Sequence, residues 1–238
     1  MSDDSPFRLL LRGTQDIREE LEGRLRIQAL AKPEWTTAMD VRAAGLQDLW
    51  NVLRYAELSL LFIETHLGSP EWWHNHRGRT LSTREAAFEY SAFSQGSKFG
   101  ALHLGASSFE NTLRCLLRAV APGAASDARK EFQSVYVCLL QTHLGFPQED
   151  IALLELVRLT RNTVHNSGLH RPPSGQSTDI VHQGREYRFV DGAPVEFVTW
   201  AFVLDRLRDL QSLLDRIVRA PAIWSHTGSL KAEWAESY

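Results

Sequence analysis

Residues 154–170, reading LELVRLTRNTVHNSGLH, form the stretch of this chain whose residue types and spacing are most suggestive of chemistry. The spacing predicts an amphipathic helix ending at Gly168. At about 100° per residue, Arg158 and His165 fall within roughly 20° of each other around the helix axis. Arg161, Asn162 and Glu155 flank them, within about 60° of Arg158 by the same count. Leu153, Leu156, Val157, Thr160 and Val164 fill the opposite side, as a core-facing surface requires. Two guanidiniums, a carboxamide and an imidazole on one stripe suit a phosphate better than a core. Arginine presents a fixed fork of donors, and histidine exchanges a proton near neutral pH.

The remaining elements must position that stripe. At 238 residues, 43% hydrophobic and 23% charged, the chain has an ordinary globular composition and enough length to bury a core. A formal net charge of −3 excludes a surface that is basic all over, so any nucleic-acid contact must be local. The two cysteines, Cys115 and Cys138, each sit in an apolar helical pattern and read as small core residues in a reducing compartment. The N-terminus MSDDSPFRLLLRG carries acid where a signal peptide carries base, and no run approaches the roughly 18 apolar residues of a membrane span. The expectation is a cytoplasmic protein with no membrane contact.

In chain order, residues 1–13 read as a loose leader and Gln15–Ala31 as a largely solvated helix with Thr14 as its N-cap. A long helix is expected over Ala38–Leu67, stopped by Gly68-Ser69-Pro70. Its C-terminal half, LSLLFIETHL, is apolar nearly all round, which predicts a central position or contact with a second subunit. Residues 68–82 read as a loop whose tryptophans tuck into the body. Its histidines, with His66, lack a Cys or carboxylate to complete a zinc set, so no metal site is expected. A short helix over Ser82–Phe93 follows, opened by the capping box Ser82-Thr83-Arg84-Glu85 and interrupted at residues 94–97. Helices over Lys98–Val120 and Ser126–Leu144 come next, with Glu110 and Arg114 meeting on one face of the first. After the motif helix the period changes to two, predicting a β-hairpin over about 179–190 around Gln183-Gly184-Arg185. Phe197–Val218 is the last long helix, its Asp and Arg residues forming a solvated face. The division expected is a leader and helix over 1–37, a helical domain over 38–219 and a tail over 220–238.

No glycine-rich phosphate loop, GxSxG elbow, HExxH or CxxC pair occurs, so no cofactor is expected. Arg158, Arg161, Asn162 and His165 remain. Arg158 followed by six residues and His165, near the end of a late helix, resembles the signature of the HEPN superfamily. The Arg161-Asn162 pair matches that signature's Arg-polar step but stands one residue too close to His165. The fold expected is therefore mainly α, a HEPN-like helical bundle with a small β-hairpin inserted before the last long helix.

The resemblance implies a metal-independent endoribonuclease, a toxin or antiphage-defence effector that cleaves RNA at a composite site in a homodimer formed through the motif helix. His165 would act as general base or acid, Arg158 or Arg161 would clamp the phosphate, and Asn162 would orient the imidazole or the ribose. A twofold axis would double the stripe, supplying two histidines and four arginines around one cleft. Ile151 and Leu154, one turn earlier on the same side, would seal the contact.

Two other readings stand beside it. The stripe could pair with acids of neighbouring helices, Glu110 with Arg158 or Arg161, and simply lock the bundle. The protein would then be a non-catalytic helical module: a scaffold, an antitoxin-like subunit, or a nucleotide-sensing subunit holding its ligand against the arginine pair. An electrostatic nucleic-acid binder without catalysis is disfavoured by the net negative charge.

Overall fold

The computed structural model describes residues 6–37, 39–127, 131–166 and 168–230. It is mainly α-helical with one two-stranded antiparallel hairpin. Helix α1 (Pro6–Ala31) runs against α3 (Val41–Phe62), with the short α2 (Pro33–Thr37) between them. A π-helical turn, Ile63–Leu67, extends α3, and α4 (Pro70–Arg77) leads into the 38-residue α5 (Thr83–Val120). Next come α6 (Pro122–Asp127), α7 (Phe132–Tyr136) with its π-helical continuation Val137–His143, and α8 (Gln148–His165). The hairpin β1 (Thr178–His182) and β2 (Arg185–Phe189) precedes α9 (Trp200–Arg219) and α10 (Pro221–Trp224).

Helices α1, α3 and α5 form a layer with α9 packed against all three. Leu21, Leu46, Leu60, Leu102, Leu113, Leu210 and Leu214 are completely buried between them. Two glycines set the spacing of that packing. A β-carbon on Gly45 would lie 2.6 Å from Thr112 Oγ1, and one on Gly105 would lie 2.5 Å from Leu207 Cδ2. Helix α8 docks on α5 and α9 and touches β1, so the hairpin closes the same end of the bundle that carries the motif.

Several boundaries differ from the sequence reading. The first helix begins at Pro6 rather than after Thr14, and Thr14 is not an N-cap. It sits fully buried in mid-helix, its hydroxyl donating to the Leu10 carbonyl at 2.7 Å. That helix is otherwise largely solvated as expected, with Thr14, Ile17, Leu21 and Gln28 its buried residues. Residues 70–77 form a helix rather than a loop, because Ser69 caps it through the Trp72 N–H and Pro70 suits its first turn. Trp73 does tuck inward, donating from Nε1 to the Leu67 carbonyl at 3.0 Å. The interruption expected at 94–97 is absent. Glycine and serine lower local helix propensity there, yet Ser97 and Lys98 are buried against neighbouring helices and Ser94 accepts from Trp200 Nε1 at 3.0 Å. The helix expected from Ser126 is split, α7 opening only at Phe132.

Other expectations hold. The Ser82–Glu85 capping box is complete. Glu110 and Arg114 are paired at 2.5 Å, and Cys115 is buried in the core as expected, whereas Cys138 is only partly buried. The hairpin turns on Gln183 and Gly184, with φ of +51° and +73°, the two left-handed residues of a type I′ turn. On α9 one residue departs from the expected solvated face: Arg206 is 4% exposed, donating to Tyr187 Oη at 3.3 Å and pairing with Asp209 at 2.8 Å. Asp209 also accepts from Gln183 at 3.2 Å and lies 3.4 Å from His182 Nε2, so this cluster pins the hairpin to α9. No helix among the described residues is long and apolar enough to cross a membrane.

Candidate functional site

The motif stripe lies on the C-terminal half of α8, and acid at the helix start, Glu149 and Asp150, meets the positive end of its dipole. Asp150 is also held by Arg216 of α9, at 2.8 and 2.5 Å. Of the inward side, Leu153, Leu156, Val157 and Thr160 are buried as expected, and Val164 is only partly buried. Ile151 and Leu154, expected to seal a dimer contact, are instead core residues at 7% and 0% exposure. A helical wheel gives their direction on α8 but not that neighbouring helices cover that side too.

Both arginines of the stripe are engaged by carboxylates of this same chain. Arg158 grips Glu155 through Nε at 2.8 Å and Nη2 at 2.5 Å, and the Tyr136 hydroxyl donates to the same carboxylate. Arg161 reaches across to Glu110 on α5 at 2.5 Å, joining Arg114 in a two-guanidinium, one-carboxylate cluster. Arg161 Nε is sealed from solvent without a hydrogen-bond partner among the described residues. Each of these arginine side chains keeps about a quarter of its surface, 23%, in solvent.

Protonation follows that geometry. Burial alone would raise the Glu155 carboxyl, but the hydrogen bonds from Arg158 and Tyr136 and the Arg158 charge outweigh it, leaving the group below its ordinary value. Arg158 is raised, chiefly by its hydrogen bond to Glu155 and against the effect of burial. Burial, then the anionic Glu155, pushes the Tyr136 phenol well above its ordinary range. The Tyr136–Glu155–Arg158 chain is therefore a phenol, a carboxylate and a guanidinium at neutral pH.

Asn162 is exposed one turn beyond Arg158, and Asn166 donates weakly to its carbonyl at 3.4 Å. His165 is the last residue of α8. Its side chain lies outside the described residues, so its relation to the two arginines rests on helical position alone. Gly168, with φ +86°, turns the chain back, its N–H bonding to the Thr163 carbonyl at 2.8 Å.

That reversal builds a cleft. Glu155, Arg158, Asn162 and Asn166 form one wall, and His170, Arg171 and the turn to Ser174 form the other, around about 320 Å³. His170 is 3% exposed, leans on Phe189 with ring centroids 5.3 Å apart, and has its Nε2 buried without a partner among the described residues. Its main chain is tied to Gly192 and Ala193, so the loop's inner end is fixed by the turn after β2. Arg171 is exposed and has no ion pair among the described residues. The structure thus brings Arg158 and Asn162 into one cleft, and turns Arg161 toward α5.

His170 and Arg171 were not among the residues singled out by sequence. The signal was Gly168 after the stripe and, one residue on, His-Arg-Pro-Pro, a short return stiffened by its two prolines. Among the described residues no three His, Cys, Asp or Glu side chains come together as a metal site. No protein-family model, curated protein or solved structure significantly matches the chain.

Proposed function

We propose that this chain is a HEPN-like helical module that binds a nucleotide, or the terminal phosphate of an RNA, in the cleft between α8 and the His170–Ser174 return, without cleaving it. The observation that carries this reading is the pairing of the stripe's arginines with internal carboxylates. Glu155 balances Arg158, so Arg171 is the one uncompensated guanidinium lining the cleft among the described residues. One surplus positive charge suits a single phosphate group, whereas the backbone of an extended RNA calls for several. Glu155 occupies Nε and Nη2 of Arg158, holding its guanidinium in place at the cleft wall. Asn162 and Asn166 offer carboxamides for a base or ribose from the α8 wall of the cleft.

Calorimetric titration with AMP, ATP and a short RNA, 5′-phosphorylated or not, tests this reading. Binding of the phosphorylated ligands only, abolished by Arg171→Glu, is the expected result. Equal, phosphate-independent heats, or none, would remove it.

A second reading is favoured by the survival of the Arg158–His165 spacing on one continuous helix whose Arg158 and Asn162 share a cleft. It is the metal-independent endoribonuclease, a cytoplasmic toxin or antiphage effector with His165 as general acid or base in a homodimer. Incubating a mixed RNA with wild type and His165→Ala decides between the two. Cleavage lost in the variant establishes the nuclease, and RNA left intact by both leaves the binding module.

A further inference from the structure

Helix α3 is exposed along a single stripe that is polar toward its start, at Gln47, Asn51 and Arg54, and apolar toward its end. Tyr55, Leu58 and Leu61 are 38%, 48% and 45% exposed there. Helix α5 continues the apolar surface with Phe93 and Leu104, 38% and 45% exposed. The two helices are antiparallel and in known register. Phe62 packs on Phe93 with centroids 5.1 Å apart, and the Tyr55 hydroxyl sits beside Gly100, 3.1 Å from where a β-carbon would stand. Between Phe93 and Leu104 the surface of α5 dips. A β-carbon on Gly96 would have nothing within 4 Å among the described residues, and the three atoms nearest one on Gly100 all belong to Tyr55.

The face therefore carries a ridge on α3 and a trough on α5 at the same level along the bundle. With Tyr55 level with Gly100 and Phe62 level with Phe93, Leu58 stands level with the step from Gly96 to Gly100. We infer that this face is where two copies of the chain associate, about a twofold axis parallel to the helices along the α3–α5 groove. That operation lays α3 of one copy on α5 of the other and drops each Leu58 between the partner's Gly96 and Gly100. An isologous contact requires such self-complementarity, and a surface made for an unrelated partner has no need of it. Helices about 10 Å apart, contacting over about four turns, offer on the order of 600–800 Å² per copy, close to what a specific dimer buries. The interface is separate from the motif helix, whose apolar residues are already used inside the chain. It leaves the proposed ligand cleft outside the contact.

The test is sedimentation of the full chain from 1 to 100 µM, for wild type, Leu58→Glu and Gly96→Leu. Leu58 is exposed, and Gly96 lies in a helix with open space above it, so both variants keep the fold. Leucine at 96 also has the higher helix propensity, so its thermal midpoint should not fall. A wild-type dimer, with both variants monomeric and normally helical by circular dichroism, is the expected result. A wild type monomeric at 100 µM would overturn the proposal, whether the face then proved to take a different protein or a lipid surface. So would a dimer that both variants retain, which would place the contact elsewhere.

Discussion

Two arginine–carboxylate sites in this molecule use the same chemistry at different depths. Arg42, 1% exposed, is gripped by Asp40 through Nε at 2.8 Å and Nη2 at 2.6 Å. Its other donors go to the carbonyls of Ile223, His226 and Gly228, and the ring of Trp35 lies 4.1 Å below its guanidinium carbon. Asp40 in turn accepts from the Leu230 N–H at 2.8 Å. No donor is left for anything else: this pair staples the C-terminal segment to the start of α3. Arg158 makes the same two-pronged contact with Glu155 but keeps 23% of its side-chain surface in solvent, beside a cleft. An arginine saturated by its own protein is architecture, whereas one held in place with part of its surface in solvent has the orientation that the proposed ligand would need.

Substitutions should separate the two sites. Arg42→Ala leaves a buried carboxylate without its countercharge, and urea unfolding should record a loss of about 3–5 kcal/mol. A loss under about 1 kcal/mol would erase the contrast. Arg158→Ala uncovers a carboxylate that water can partly reach, so the same measurement should give about 1–2 kcal/mol. Much of that should return in the Arg158→Ala, Glu155→Gln double variant, which removes the stranded charge.

Acid should act on the α8 site in a defined direction. Because the folded protein holds Glu155 below its ordinary value of 4.5, its contribution is complete above that pH and disappears as pH falls through the lower folded value. Wild type should therefore lose stability on acidification more steeply than Glu155→Gln, and parallel curves would show that the pair does not couple to folding. Smallest of all, Arg171→Glu should leave stability unchanged within about 0.5 kcal/mol, as for an exposed residue, while weakening phosphate binding at least tenfold.

The parts of the fold that follow from local chemistry were legible in the sequence. The inward side of α8, the Ser82–Glu85 box, the Gln183-Gly184 turn and the stop at Gly168 each depend on residues within a few positions of one another. What was hidden depends on register between distant elements. Arg161 meets Glu110 only because α5 and α8 are aligned across 51 residues of chain, and the sequence left Arg158 and Arg161 as equal candidates for that acid. Arg206 looked like a surface charge because nothing in α9 announces that the hairpin will fold over it. The break expected in α5 failed for a similar reason: burial of Ser97 and Lys98 overrides the weak helix propensity of the segment around Gly96.

The clasp of Asp209 on His182, Gln183 and Arg206 bears on the segment that frames the cleft. Residues 169–177 span from the end of α8 to a hairpin that is itself bolted down, like a bridge deck between two fixed piers. A guest entering beneath such a span need not immobilise it first, so little of its affinity is lost to chain ordering. Lengthening or shortening the deck would alter the headroom without disturbing either pier, leaving guest size free to vary while the bundle stays the same.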